Sequence, residues 1–437
     1  MSVGVGRSFA GDGPGKPLSQ EPPAIEAEPE VIAASPAPDM EQGSVVAEDG
    51  DCDDFCGMPI CSPPGRFWLR GDYLMWWTNG QRLPPLVTTS PQGTPRQQAG
   101  VLPDATILYG NDTVNNDGRS GFRSTLGVWL GPCHMWGVEF DYFNLGERDN
   151  SFARSSTGDP ILARPFFNVQ TNQLASELVA YPGVAEGTIS ADAKDYFHSA
   201  GVTLTYNVCA GDSCCDSYCE DPCDDVCLPP TLFCCRTDLL VGFRYYNLSD
   251  QVGIHETLRD VDPQSPIINT VFDIRDNFDA RNDFYGTELG LRTKIYRGRW
   301  SLDLLGKIAV GNNHQTITID GQTVITAPDQ PTQTFDTGLM AGPSNSGTFQ
   351  RDVFTMIPQL GIELGYQVSC HWRAFAGYNI LYWGNVSRAG DQIDLNLDPR
   401  NFPPTSPTNP GLPFPAFAGR TDSFWAQGVN VGAEYRF

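Results

Sequence analysis

The sequence predicts an all-β protein, an antiparallel transmembrane β-barrel of about ten strands (with twelve as the alternative) that has long external loops and short periplasmic turns. Three observations predict it: apolar and polar residues alternate with a period of two, the connections alternate between long and short, and aromatic residues collect at two levels. The composition agrees, because 45 Gly and 35 Pro among 437 residues favour short strands and turns.

Ten segments show the alternation of a two-faced strand. They cover about 66–78, 119–131, 135–146, 195–208, 236–248, 282–297, 299–312, 352–369, 372–385 and 422–437. Long connections between them alternate with tight turns, such as those at Gly298 and at Cys370–His371. Bacterial outer-membrane barrels show this regular alternation, with the short turns on the periplasmic side.

Each strand has one apolar and one charged face. In the first strand Leu69, Tyr73 and Met75 share the apolar face. The charged face, which lines the lumen of a barrel, carries Arg70, Asp72, Arg119, Arg123, Glu139, Asp141, Asp238, Arg244, Glu288, Arg292, Lys294, Asp303, Lys307, Glu363, Arg373, Glu434 and Arg436. In a soluble sandwich the same face would be wet, so alternation alone leaves both folds open.

The aromatic residues separate the two folds. If the short turns are periplasmic, one level collects Phe67, Trp136, Tyr206, Trp300, Tyr366, Trp372 and Tyr435. The other level collects Trp77, Phe122, Tyr142, Tyr196, Tyr245, Tyr285, Phe354, Tyr382 and Trp425. Two aromatic belts at the ends of the apolar faces indicate membrane interfaces. Aromatic residues that cap a sandwich core are the alternative.

Charge and hydropathy exclude two further classes. The net charge of −24 argues against a nucleic-acid surface, which needs clustered Lys and Arg. No apolar run approaches the roughly 20 residues of a membrane-spanning helix, which excludes a helical membrane protein. The predicted organisation is a disordered acidic, Pro-rich tail over 1–65, a barrel over 66–437, and a Cys-rich periplasmic insert over 209–235 within the barrel.

The thirteen cysteines indicate an oxidising compartment. The disulfide candidates of the insert are Cys209, Cys214, Cys215, Cys219, Cys223, Cys227, Cys234 and Cys235. A disulfide-knotted insert bound to the tail is the main interpretation. A metal cluster is the alternative, although Cys215, Cys219, Cys223 and Cys227 lack the paired C-x₂-C spacing of structural zinc. An odd count leaves a thiol that could link the barrel to another envelope protein.

The first residues, MSVGVGRSFAGDGPG, lack the apolar core of a secretion signal. Since an outer-membrane protein must be exported, we expect an in-frame upstream start or a removed leader. The genomic sequence upstream of Met1 would show which of the two applies.

Several blocks of the sequence resemble the seventh family of bacterial outer-membrane β-barrel porins. The resemblance covers roughly 66–146 and 236–437, and it does not extend to 147–194 or to the acidic tail. Its blocks are FWLRGDYLMWWTNGQRLPPLVTTSPQGT (67–94), GRSGFRSTLGVWL (118–130), GVEFDYFNLG (137–146) and LLVGFRYYNL (239–248). The last residues, VNVGAEYRF, resemble the signal that the barrel insertion machinery reads, with Tyr435 and Phe437 on the lipid face. The resemblance implies outer-membrane lipid and that machinery as partners.

Two functions compete. The resemblance implies a porin, with passive passage of small polar solutes through a narrow charged lumen. The rival is a non-conducting structural or adhesion protein of the cell envelope, cross-linked through periplasmic cysteines. A ten-stranded barrel lies between the side-chain-filled eight-stranded barrels and the open porins of sixteen to eighteen strands. Because unpaired buried charges are costly, we expect the inward charges to pair, with Arg123 and Arg244 serving Asp141 or Glu139.

No catalytic, cofactor-binding or metal-binding residue is predicted. The sequence has no G-x-S-x-G, H-E-x-x-H or phosphate-loop motif. His255 and His314 lie in predicted external loops, where Asp260 or Asp320 could in principle pair with them to activate water. Solvated loop histidines are the simpler interpretation.

Three local patterns carry further expectations. PPLVTTSP (84–91) begins the first long loop and either packs on the rim, folds into the mouth or forms a constriction. The DGQ within 316–326 predicts a hairpin in the fourth loop. Pro358 conflicts with its predicted strand, because it lacks a backbone donor.

Overall fold

The computed structural model describes residues 65–131, 134–210, 234–404 and 411–437. The predicted acidic tail, apart from Gly65, and nearly all of the predicted Cys-rich insert therefore lie outside the described residues. Within the described part of the chain, no helix is long and apolar enough to cross a membrane.

Within these residues ten long antiparallel strands form a closed barrel, which confirms the predicted fold class. They are β1 (Phe67–Thr78), β2 (Arg119–Trp129), β3 (Trp136–Ser156), β4 (Ala185–Ala210), β5 (Cys234–Asp260), β6 (Val271–Arg297), β7 (Trp300–Thr326), β8 (Gly347–Gln367), β9 (Trp372–Val386) and β10 (Asp422–Arg436). Each strand pairs with its neighbours in the chain. Closure comes from β10, which pairs with β1 from Trp68 opposite Arg436 to Thr78 opposite Ala426.

The barrel has a turn end and a loop end. Short connections such as 298–299 and 368–371 join strands at the turn end, where β4 also ends and β5 begins. The longer connections 79–118, 157–184, 261–270, 327–346 and 387–421 lie at the loop end. Because the number of strands is even, β1 begins and β10 ends at the same end of the barrel, the turn end. There the backbones of Phe67 and Phe437 exchange two hydrogen bonds, of 2.9 and 3.0 Å.

The turn-side part of the wall carries an exposed apolar band between two aromatic levels. At the turn end Trp136 packs on Tyr206, with ring centroids 4.4 Å apart. At the other level the rings of Tyr245 and Tyr285 are 5.1 Å apart. The span from Phe67 to Trp77, at about 3.3 Å per residue and a tilt of about 40°, covers about 25 Å. That height matches the apolar band of an outer-membrane barrel.

Six strands, β3 to β8, continue well beyond the outer aromatic level, so their predicted loop-end boundaries were too short. The residue pattern inverts at that level. In β7 below it, Leu304 and Ile308 face outward, whereas above it Ile317 and Ile319 are buried inside. The outward residues become Thr, Asn and Asp because that surface meets water rather than lipid. A prediction that follows the apolar outer face of a strand therefore ends the strand at the outer aromatic level.

The predicted hairpin at DGQ is wrong. β7 runs straight through this sequence and keeps its pairing with β6, with Asp276 opposite Gly321 and Arg275 opposite Gln322. Gly321 does not form a turn; it allows the backbone of a loop to approach β7 closely. A Cβ at Gly321 would lie 2.3 Å from the amide nitrogen of Gly338, in the loop that packs against the strand.

Pro358 is accommodated inside β8, where it lies opposite Ile308. Its ring is exposed on the outward apolar face. The ladder between β8 and β9 begins only at Gln359, one residue later. The missing donor therefore falls where the strand has no partner on that side, as expected for a strand proline.

The long connections fold inside the barrel, where β3 to β8 extend beyond the outer aromatic level. Their short strands are Gln81–Leu83, Val87–Thr89, Thr106–Tyr109, Asp112–Val114, Leu162–Asn168, Gln173–Ala180, Gln333–Phe335 and Asn396–Leu397, and their 3₁₀ turns are Gly390–Gln392 and Pro399–Asn401. Residues from four of the five connections join inward residues of the wall in one hydrophobic cluster, here called the loop core.

The segment 84–91 folds into the barrel mouth. Leu86 and Val87 are fully buried in the loop core. The Thr88 hydroxyl donates a 2.8 Å hydrogen bond to the carbonyl of Gly100, and the Ser90 hydroxyl accepts one of 2.8 Å from the Gly100 amide. Of the three predicted locations, which were the rim, the mouth and a constriction, the structure shows the mouth.

Candidate functional site

The turn-side half of the lumen holds a cluster of charged side chains, here called the ionic layer. Its members are Arg70, Asp72, Arg123, Glu139, Asp141, Arg236, Asp238, Arg244, Glu288, Arg292, Lys294, Asp303, Lys307, Glu363, Arg373, Glu434 and Arg436. Sixteen of these belong to the seventeen lumen-lining candidates of the sequence. The seventeenth candidate, Arg119, lies inside the barrel closer to the loop end, where it pairs with Asp195 at 2.6 Å.

Arg244 on β5 connects two carboxylates from different strands. Its guanidinium donates to Asp141 at 2.5 and 2.8 Å and to Glu288 at 2.9 and 3.0 Å. Lys307 adds a second cation to Glu288, at 2.9 Å. All four side chains are buried or nearly so. The predicted pairing of Arg244 with Asp141 is therefore present.

Other pairs cross the lumen between strands that are not neighbours. Arg292 on β6 holds Glu139 on β3 with two hydrogen bonds of 2.5 and 2.8 Å. Arg70 on β1 donates to Glu363 on β8 at 2.6 and 3.3 Å. These bonds tie opposite parts of the wall together and fill the space between them.

Near the turn end Arg373 is shared by three carboxylates. It lies 3.2 Å from Asp303, 3.1 Å from Glu363 and 3.6 Å from Glu434. Arg436 adds a 2.5 Å bond to Glu434.

Arg123 differs from the other arginines of the ionic layer. The expected partners, Asp141 and Glu139, are held by Arg244 and Arg292, so that part of the prediction is wrong for Arg123. The shortest distance from its guanidinium to a carboxylate is 3.9 Å, from Nη1 to Oδ2 of Asp72. Geometry explains the outcome, because Asp72 already accepts two 2.7 Å bonds from Arg70.

The sequence interpretation also missed Arg236. This arginine donates 2.8 Å and 3.1 Å bonds to Asp238 and a 2.7 Å bond to the carbonyl of His134. It stands at the first position of the segment predicted as 236–248, two residues before Asp238, so alternation places it on the same charged face. The observed strand begins at Cys234, two residues earlier.

Above the ionic layer, toward the loop end, buried apolar side chains meet in the middle of the lumen. This aromatic layer comprises Leu74, Trp76, Phe143, Leu145, Phe197, Tyr246, Leu248, Phe284, Ala309, Ile357, Leu381, Trp383, Val386, Phe424 and Ala426. Phe197 contacts Phe424 edge to face, with centroids 4.8 Å apart, and stacks at 6.0 Å on Tyr246. Trp383 packs against Phe284 at 6.2 Å.

A sequence signal for the aromatic layer exists, although the sequence interpretation did not use it. Seven strands carry two consecutive aromatics at the outer aromatic level: Trp76–Trp77, Tyr142–Phe143, Tyr196–Phe197, Tyr245–Tyr246, Phe284–Tyr285, Tyr382–Trp383 and Phe424–Trp425. Successive side chains of a strand point to opposite faces. One member of each doublet therefore belongs to the membrane belt, and the other is buried in the lumen.

A second set of buried polar groups separates the aromatic layer from the loop core. It includes the Arg119–Asp195 pair and an ion pair between Arg388 and Asp250. Asn282 donates a 2.8 Å bond to the carbonyl of Ser387 and accepts one of 2.8 Å from its amide. These bonds fix the last long connection against β6.

The loop core encloses one arginine. Arg164 is fully buried, lies 2.6 Å from Asp276 and 3.3 Å from Glu256, and so joins the second long connection to β5 and β6. Glu177 faces Arg164 on the adjacent short strand. Burial, reinforced by the negative charge of Glu256, raises the pKa of the Glu177 carboxyl to about 7.

A small chamber remains within the ionic layer. It has a volume of about 100 Å³ and is lined by charged residues that include Arg123, Asp141, Glu139 and Arg292. The aromatic layer closes it toward the loop end.

Both histidines considered for catalysis pair with aspartates other than those expected. His255 Nε2 lies 3.1 Å from Asp273, and His314 Nδ1 lies 3.0 Å from Asp352. Asp260 and Asp320 instead accept from Ser265 and Asn277, at 2.6 and 3.0 Å. Each pair joins adjacent strands on the outer face above the apolar band. Within the described ranges no group of three or more His, Cys, Asp or Glu could hold a metal ion.

The predicted disulfides fall almost wholly outside the part of the chain that the structure describes. Cys235, at the turn end of β5, and Cys370, in the short 368–371 turn, are both partly buried. The predicted disulfide framework and its metal-binding alternative both remain predictions.

A closed barrel with an apolar outer band, two aromatic levels and a polar interior defines an outer-membrane β-barrel protein. The family described as "Putative beta barrel porin-7" matches residues 68–437. The chain belongs to that family, which confirms the resemblance seen in the sequence. Comparison with curated proteins gives no match.

Three solved structures align with the chain at low similarity. The outer membrane protease OmpT from Escherichia coli aligns with TM-score 0.38 and 8% identity, over 86% of this chain and 97% of its own. The toluene transporter TbuX from Ralstonia pickettii gives TM-score 0.15 and 10% identity over 86% and 90%. The anion-selective porin from Comamonas acidovorans gives TM-score 0.12 and 11% identity over 86% and 100%.

Replacing Arg244 by Ala should lower the stability of the barrel markedly, because Asp141 and Glu288 would be left buried with Lys307 as their main cation. Removing one partner of a buried ion pair costs about 3–5 kcal/mol. Arg123→Ala is the matched control and should cost much less, since Arg123 lacks a close carboxylate. Urea unfolding of the protein in detergent, followed by tryptophan fluorescence, measures both. Equal losses for the two variants would contradict this assignment.

Glu177 should make the folded loops more stable in mild acid. Its pKa is raised above the value in the unfolded chain, so the folded state binds the proton more tightly. The stabilising effect is full below about pH 4.5 and is lost as the pH rises through about 7. We expect Glu177→Gln to gain more in melting temperature at pH 8 than at pH 5, relative to the unmodified protein. An equal effect at both pH values would refute the assignment.

Proposed function

We propose that this protein is a non-conducting outer-membrane barrel that anchors a folded loop surface outside the cell, as a structural or adhesion component of the envelope. The single observation behind this proposal is the continuous filling of the lumen. A path along the barrel axis meets the ionic layer, then the aromatic layer, then the second polar set, and finally the loop core.

The energetics of the filling support a permanently closed state. Buried aromatic side chains in tight contact are expensive to separate, since each buries a large apolar area. The loops are attached by buried hydrogen bonds and by the Arg164 ion pairs rather than by surface contacts. Opening a channel would require breaking several of these together.

Passive passage of small polar solutes, as in a porin, is the second candidate. It is favoured by the polar chamber of about 100 Å³ at the turn end and by the family description. In this case the aromatic layer would have to move, because it separates the chamber from the loop end.

Single-channel recordings in planar bilayers distinguish the two candidates. The unmodified protein should give conductance far below that of large general porins. The double replacement Trp76→Ala and Trp383→Ala, which empties part of the aromatic layer, should raise the conductance. Trp300→Ala, on the outward face, is the matched control and should not change it. A large conductance of the unmodified protein would contradict the proposal that the barrel does not conduct.

We further propose that both chain ends face the periplasm, together with the short turns. Short turns on the periplasmic side are the rule in bacterial outer-membrane barrels, and this arrangement puts the long connections outside the cell. The 211–233 connection would then start and finish in the oxidising periplasm, where its cysteines could cross-link the barrel to another envelope protein. We propose no enzymatic activity, because the two His–Asp pairs lie on the outer wall, apart from the chamber.

The terminal residue should matter for insertion by the barrel insertion machinery more than for the folded state. Phe437 contributes two hydrogen bonds with Phe67 and stacking contacts with Phe67 at 5.7 Å and Tyr435 at 5.8 Å, which are few among the many contacts of the barrel. Deleting Phe437 should therefore reduce the yield in the outer membrane, while the inserted fraction still resists unfolding by SDS without heating. Leu412→Ala, a loop substitution, is the control. A normal outer-membrane yield of the deletion would count against this proposal.

A further inference from the structure

The charges of the ionic layer do not balance. Its nine cations are Arg70, Arg123, Arg236, Arg244, Arg292, Lys294, Lys307, Arg373 and Arg436, and its eight carboxylates are Asp72, Glu139, Asp141, Asp238, Glu288, Asp303, Glu363 and Glu434. The aromatic layer shields this set on the loop side. One positive charge is therefore left over among largely buried side chains.

The surplus charge can be assigned to one residue. Among the residues that the structure describes, Arg123 donates no hydrogen bond to another side chain or carbonyl, and its buried Nη2 has no partner. Its side chain is only 11% exposed, and the nearest carboxylate oxygen, on Asp72, is 3.9 Å away. That oxygen already accepts from Arg70 at 2.7 Å and from Asn430 at 3.3 Å.

The surroundings of Arg123 hold the guanidinium in position. It lies 5.5 Å from the ring centroids of both Trp76 and Phe143, in the aromatic layer above. Such cation–π contacts stabilise a cation only partly compared with a full anionic partner. The side chain also lines the chamber of about 100 Å³. A positively charged donor with free N–H groups thus faces a cavity.

We infer that the chamber is a binding site for one small, singly charged anion, held by the Arg123 guanidinium. Arginine binds halides and carboxylates through its fixed fork of N–H donors, and the bonds are strengthened by its charge. One monovalent anion brings the ionic layer to neutrality. The bound anion removes the cost of an unpaired buried cation, which amounts to several kcal/mol in proteins.

Chamber size and access define the ligand class further. A water molecule needs about 10–15 Å³ of such volume, so the chamber has room for chloride, bromide or a one- or two-carbon carboxylate. Entry is from the turn end, because the aromatic layer blocks the other side. Arg70 and Arg292, which also line the chamber, keep 17% and 19% of their side-chain surface exposed. This inference goes beyond the proposed function and is independent of whether the barrel conducts.

Bromide is a suitable probe. The full chain, folded in detergent with gluconate as the background anion, is titrated with bromide while its melting temperature is recorded. A specific site raises the melting temperature with the logarithm of the bromide concentration above its dissociation constant, whereas general salt effects are shared by all variants. We expect this rise for the unmodified protein and for Arg154→Met, which removes an exposed arginine of β3. Arg123→Met should weaken the apparent affinity at least tenfold.

A second measurement needs no variant. Crystals grown in bromide should show an anomalous scattering peak beside the Arg123 guanidinium. The inference is overturned if the bromide dependence of Arg123→Met equals that of the unmodified protein, or if bromide raises the melting temperature of the unmodified protein no more than that of Arg123→Met. It is also overturned if the chamber holds no bromide, as would happen if an acidic side chain from residues 1–64 occupied it.

Discussion

The filling of a ten-stranded lumen is the constraint on which the other features depend. Side chains can just fill a barrel of eight strands, whereas much larger barrels stay open to water. Here the extra width is bridged by long arginines, as in the Arg292–Glu139 and Arg70–Glu363 pairs, each of which joins strands that are not neighbours. Because these groups lose water when they meet across the lumen, each must be neutralised locally. The ion pairs of the ionic layer therefore connect strands on different sides of the barrel wall.

The barrel wall changes character at the outer aromatic level because its outer solvent changes there. Toward the turn end the outside is apolar and the inside charged, as at Leu304 and Asp303 of β7. Toward the loop end the outside is polar and the inside apolar, as at Thr318 and Ile319. One strand thus carries two opposite amphipathic patterns in series. The aromatic layer lies where they meet, and it separates the charged half of the lumen from the apolar loop core.

Because of this arrangement, the loop end of the barrel is a folded unit above a filled lumen. The second long connection is held by the buried Arg164, which contacts two strands of the wall. The exposed outer wall there consists of strands with Thr, Asn and Asp side chains, and its shape is fixed by their regular pairing with neighbours. Under the proposed structural or adhesion function this surface would contact other molecules, whereas the inferred anion would lie in the chamber at the opposite end.

The sequence by itself determined the all-β class, the ten strands and the alternation of turns and loops, because lipid outside and charge inside impose a period of two that is local in the chain. It also determined the family, through blocks such as that at 67–94.

Only the tertiary structure decided which charges pair, since Arg123 and Arg244 look alike in sequence and differ only in which carboxylates other arginines have already bound. It also decided that the strands continue past the membrane, that 84–91 folds into the mouth, and that Gly321 serves a close contact. These outcomes depend on residues far apart in the chain, such as Gly321 and the backbone of Gly338, meeting in a closed space, which no local pattern records.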